Sequence, residues 1–142
     1  MYTVLLFFHF IGLALGVGTG FATLVLGLAT RDLSPTDRAA FMLRASAVGK
    51  NGSIGLGLLI VTGVGMMVMR GVPETLAWGG GAFHAKLGLV VVFSLLFGML
   101  QSLVAKAKRE GGGPALIKIP RVSRVLLLLS LAIVACAVVA FH

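Results

Sequence analysis

Residues Tyr2–Thr30 read YTVLLFFHFIGLALGVGTGFATLVLGLAT, with no Lys, Arg, Asp or Glu among them. At a helical rise of about 1.5 Å per residue, a run of this length crosses the roughly 30 Å hydrocarbon core of a bilayer. One titratable group interrupts it, His9. Steps of three and four from His9 give Gly12, Gly16, Thr19, Thr23, Leu26 and Thr30, so the histidine heads a stripe of small and hydroxylated residues. An imidazole at membrane depth is costly unless it faces a protein interior and has a partner there. The run therefore reads as a membrane span, and the functional question is what His9 meets.

The rest of the chain agrees with that reading. Of 142 residues, 58% are hydrophobic and 11% charged, where a soluble domain carries about a quarter charged residues. The length suits one domain, 1–142, in an all-α integral membrane protein. A net charge of +8 would suit a nucleic-acid binder, but the basic residues fall in two loops between apolar runs. Membrane topology explains that placement, and nucleic acid is excluded as a partner. Met1-Tyr2-Thr3-Val4 carries no basic side chain, and the run behind it exceeds an h-region of about 7–15 residues, so it reads as a retained span rather than a signal peptide. A lone Cys136 in the last apolar run gives neither an internal disulfide nor a CxxC spacing.

Four spans follow, at about 2–30, 53–69, 82–105 and 120–141, which predicts a four-transmembrane-helix bundle. Between the first two, Ser34, Pro35 and Asp37 have the pattern of an N-cap, N1 and N3, starting a helix that either lies in the interface or extends the second span. Asn51-Gly52 marks a softer joint within it. Arg70-Gly71-Val72-Pro73 stops the second span, and the segment to Gly79-Gly80-Gly81 reads as an interfacial loop anchored by Trp78. Ten of the twelve Lys and Arg residues lie in or beside the 1–2 and 3–4 connections; Arg70 and Lys86 alone lie at the other end. The positive-inside rule then puts both termini on the non-cytoplasmic side of a bacterial-type inner (cytoplasmic) membrane, crossed in multiple passes.

In that topology His9, His84 and His142 all sit at the non-cytoplasmic end, level with Met66, Met67 and Met69 at the close of the second span. From His84 a stripe of Gly88, Val91, Leu95, Gly98 and Ser102 runs down the third span, and Gly52, Gly55, Leu59, Thr62, Met66 and Met69 share one side of the second. Glycine stripes admit close helix packing, or leave flat room for a planar cofactor at Gly12 and Gly16. Two facing imidazoles, His9 and His84, or His9 with a nearby methionine in place of the second imidazole, suit iron in haem b, a site that passes single electrons. The same histidines with Met66 and Met69 instead offer soft ligands for copper. Lys86 is two residues from His84, about 200° round the helix, so both cannot aim at one centre unless the helix start is irregular. It either snorkels to the interface or, with Arg70, pairs an anionic ligand such as a porphyrin propionate.

His9, the Thr62-Gly63 pair and Phe83-His84-Ala85-Lys86-Leu87 opening the third span resemble the small four-helix membrane proteins related to HemJ-type protoporphyrinogen oxidases and CopD-like copper-resistance proteins. The resemblance implies haem b with His9 and Lys86 in the oxidase case, and copper in the other. Where the oxidases carry Trp-x-x-Gly-Leu-Phe-Tyr-x-Pro-Arg after the first histidine, this chain has Gly12-Leu13-Ala14-Leu15-Gly16-Val17-Gly18. The leading expectation is a haem b protein acting in electron transfer or as a small membrane oxidoreductase, with quinone or porphyrin as ligand. The alternatives are copper handling through the outer-face His and Met residues, or a non-catalytic partner subunit. A homodimer is expected from the many small-residue faces, beside contact with the lipid bilayer. Soluble-enzyme classes are excluded: GxSxG and Walker patterns are missing, and the four acidic residues all lie in loops or at helix ends.

Overall fold

The computed structural model describes residues 1–111 and 115–140. In order it contains α1 (Tyr2–Ala29), α2 (Pro35–Ala45), a 3₁₀ turn (Ser46–Val48), α3 (Gly49–Arg70), α4 (Val72–Trp78), α5 (Gly80–Arg109) and α6 (Ala115–Ala140), with no strand among the described residues. Four stretches are long and apolar enough to cross a membrane: Tyr2–Ala29, Pro35–Arg70, Gly80–Arg109 and Lys118–Val139.

Local chemistry accounts for most boundaries. Ser34 caps α2, its Oγ accepting the Asp37 amide at 3.2 Å, with Pro35 in the first turn where its missing N–H costs nothing. The helix it starts does not lie apart in the interface. It runs on through the 3₁₀ turn into α3, and so extends the second span. The joint falls at Ser46–Val48, where Ser46 Oγ donates to the Leu43 carbonyl at 2.6 Å, and not at Asn51-Gly52. Gly52 is instead a buried packing glycine: a Cβ there would come within 3.2 Å of Thr19 Cγ2 and 3.4 Å of the Phe97 ring. Gly71, at φ 88°, turns the chain between α3 and α4, a conformation open to glycine and strained for other residues. The expected Trp78 loop is the short helix α4, and α5 begins at Gly80. Pro120 lies inside α6 rather than at its start, since the helix begins at Ala115.

The spans pack chiefly as two pairs, α1 with α3 and α5 with α6, joined by α1 against α6. Small residues sit inside and large apolar ones outside, the reverse of a soluble domain. Gly12, Gly52, Gly55 and Thr62 are buried, while Phe7, Phe10, Val61, Leu95 and Leu128 are exposed. Such a surface suits a lipid bilayer, in which each helix satisfies its own backbone groups.

Candidate functional site

The α1–α3 contact positions His9. The two helices cross at facing glycines that bring their backbones together: a Cβ on Gly55 would lie 2.7 Å from the Gly12 carbonyl oxygen and 2.7 Å from the Gly16 nitrogen. From that crossing an antiparallel register runs toward the chain's N-terminal end. Gly12 lies against Leu59, His9 against Thr62 and Gly63, and Leu5 against Gly65. Arg70 then reaches Tyr2, its guanidinium 5.3 Å from the Tyr2 ring centroid and 5.6 Å from that of Trp78. This cation–π contact on two rings ties the start of α1 to the turn after α3.

His9 is half-buried and Thr62 is buried, and Nδ1 of the imidazole lies 2.8 Å from the Thr62 hydroxyl. That hydroxyl has one proton, and donates it to the Leu58 carbonyl of its own helix. Thr62 Oγ1 therefore accepts from His9, which fixes the proton on Nδ1 and leaves the Nε2 lone pair as the ring's ligating atom. The imidazole Cε1 rests over Gly63, where a Cβ would stand 3.5 Å away. Thr62 orients the ring and Gly63 lets it lie flat against α3. Met66 follows Thr62 by one helical turn on the same side and is half-buried; Met69 follows in turn and is exposed.

On α5 the two candidates separate. Lys86 is half-buried, and its ammonium is close enough to His9 to act on it electrostatically. His84 points away. Its ring is exposed, and its Nδ1 donates to the Gly80 carbonyl of its own helix at 2.7 Å. The whole stripe below it (Gly88, Val91, Leu95, Gly98 and Ser102) is exposed too. The expectation that this face turns inward to oppose His9 is thus corrected. A two-residue step puts Lys86 on the inner side and so leaves His84 on the outer one. The flat cofactor gap expected at Gly12 is also absent, because the Gly55 backbone fills it. Gly16 has more room, with Leu59 Cδ1 at 4.0 Å from a built Cβ. Arg70 is engaged by two aromatic rings rather than poised for an anion. His142 lies outside the described residues. No group of three His, Cys, Asp or Glu side chains converges among the described residues, so a metal held here needs thioether sulfur as well as imidazole.

The family model for copper resistance protein D, CopD, matches residues 49–140. The chain belongs to the CopD family. The CopD match begins at the first residue of α3 and carries Thr62, Met66, Met69, Arg70, His84 and Lys86. His9 arrives from α1, just ahead of the matched CopD region, and docks on its Thr62-Gly63 pair. Family membership makes the chain a copper-resistance-related membrane protein, which favours the copper expectation over haem b. No curated protein and no solved structure matches this CopD chain.

Thr62 was legible in the sequence as part of a glycine-rich stripe and of the Thr62-Gly63 pair, not as the partner of His9. Its role as the partner of His9 follows from the Gly12–Gly55 crossing, which sets the register between the two helices.

Proposed function

We propose that this protein handles Cu(I) at the non-cytoplasmic end of its bundle, with His9 Nε2 as the nitrogen ligand and Met66 as the nearest sulfur ligand. The observation that carries the reading is the Thr62 hydrogen bond. It orients the ring through Nδ1 and leaves Nε2 to ligate, with the Met66 thioether one helical turn from Thr62 on the facing helix. Copper here is cargo rather than a catalytic cofactor. Met69, next along the same stripe and exposed, gives an outer stopping place on the way in or out. The Lys86 ammonium opposes a second cation in the same space, which weakens retention and suits a site that must release its ion.

The distribution of Lys and Arg supports placing this end outside the cytoplasm of a bacterial-type inner membrane. The exposed small residues of the His84 face (Gly88, Gly98 and Ser102) would admit a second copy, in keeping with a homodimer. For a haem b oxidoreductase of the HemJ type, the exposed His84 is turned away from His9 and offers no second imidazole across from it. Metal and pigment analysis of the purified protein from a host replete in copper and haem separates the two. Copper without a Soret band supports this reading; a stoichiometric, reducible Soret band that His9→Ala abolishes overturns it.

A further inference from the structure

At the opposite end of the molecule lies a cavity of about 710 Å³, within the range of about 300–1,000 Å³ typical of small-molecule sites. It opens where α2 crosses the ends of α1, α5 and α6. Its mouth carries four arginines from three segments: Arg31, Arg38, Arg121 and Arg124. Among the described residues the ion pair is Lys106–Glu110, so no carboxylate neutralises these four. Arg38 and Arg124 each donate to a backbone carbonyl, of Gly27 at 3.2 Å and of Pro120 at 3.3 Å, which holds the guanidinium groups in place and leaves further N–H groups to donate.

Behind the arginines the walls turn apolar, with Leu26, Met42, Phe97, Leu100 and Val104. Three lining hydroxyls are already committed: Thr19, Thr23 and Ser46 donate to the carbonyls of Leu15, Thr19 and Leu43. On α1 the lining runs from Leu26 to Thr19, about 10 Å at helical rise, with Arg31 just beyond the end of the helix.

We infer that this cavity is a binding site for an anionic phospholipid of the leaflet at the basic end of the bundle, its phosphate held by Arg31, Arg38, Arg121 and Arg124 and an acyl chain laid between α2 and α5. Charge complementarity selects the headgroup, and the apolar walls select a lipid over free phosphate, which has no use for them. This site is separate from the histidine end and stands independently of the copper reading.

Native mass spectrometry of the detergent-solubilised protein with dioleoylphosphatidylglycerol or dioleoylphosphatidylcholine tests it. The wild type is expected to retain the glycerol lipid at least tenfold over the choline lipid. Each arginine near a charged membrane surface changes affinity by about fivefold, so Arg38→Gln, Arg121→Gln and Arg124→Gln together reduce retention on the order of a hundredfold. Leu100→Trp fills the apolar wall without touching charge, and is expected to reduce retention while circular dichroism stays at the wild-type level. Equal retention of both lipids, unchanged retention in a folded Leu100→Trp variant, or displacement of the lipid by millimolar inorganic phosphate alone would each overturn the assignment. So would efficient cross-linking of two chains through a cysteine at position 42, which would show a second copy filling the space.

Discussion

Adding one methyl group at Gly55 separates the two helices that create the candidate site. A Cβ there starts 2.7 Å from both the Gly12 oxygen and the Gly16 nitrogen, backbone atoms that cannot swing aside. Restoring ordinary contact parts α1 and α3 by about 0.7 Å. The His9–Thr62 hydrogen bond, 2.8 Å long, lies two turns away across the same interface and stretches toward about 3.5 Å, where such bonds are effectively lost. Overpacking costs about 1–3 kcal/mol and the lost hydrogen bond about 0.5–1.5 kcal/mol. Gly55→Ala should therefore lower stability by about 1.5–4.5 kcal/mol, and weaken any ligand held by His9 as the ring loses its orientation. Gly57→Ala is the matched control: it sits on the same helix with nothing within 4 Å of its built Cβ. The assay is steric-trap or denaturant unfolding in bicelles, with Cu(I) competition measured on the folded fraction. Equal stability of Gly55→Ala and Gly57→Ala would refute the close crossing, and with it the register that pairs His9 with Thr62.

Three further outcomes follow from the site. Thr62→Val keeps the shape but removes the acceptor that fixes the His9 tautomer, and should weaken Cu(I) binding by about 10–100-fold, as loss of such outer partners does elsewhere; Thr62→Ser should restore it. His84→Ala should leave Cu(I) affinity within twofold of wild type, because the ring is exposed and bonded to Gly80; a tenfold loss measured by competition would return His84 to the site. Lys86→Met removes a cation near His9. Like charges repel more strongly away from bulk water, so Cu(I) should bind more tightly to Lys86→Met, and slower release should show in stopped-flow transfer to a chelator.

Hydropathy alone indicated four helices long and apolar enough to cross a membrane, because crossing lipid demands long uncharged helices whatever the tertiary packing. The α2 start was equally legible, since Ser34, Pro35 and Asp37 act within one turn. Asn51-Gly52 misled because a glycine's local signal is the same whether it loosens a helix or admits a neighbour. Only the presence of Thr19 and Phe97 decides, and both are remote in sequence. The same ambiguity governs α5. Its small-residue stripe from His84 resembles the packed stripe from His9, yet it faces outward. The two-residue offset of Lys86 from His84 did show that one of them must face away, but which one depends on how α5 sits against its neighbours. The four-arginine cavity was illegible for a further reason: its members come from the 1–2 connection and from α6, and α2 must fold over before they share a mouth.

The most direct test of the central claim is a Cu(I) competition titration of the wild type and His9→Ala, both in lipid nanodiscs and both shown to be folded. The account requires that the wild type take Cu(I) from a bicinchoninate-type probe and that His9→Ala lose this by at least tenfold, with Met66→Leu weakened as well. Undiminished Cu(I) uptake by His9→Ala, or no uptake by the wild type, would contradict it.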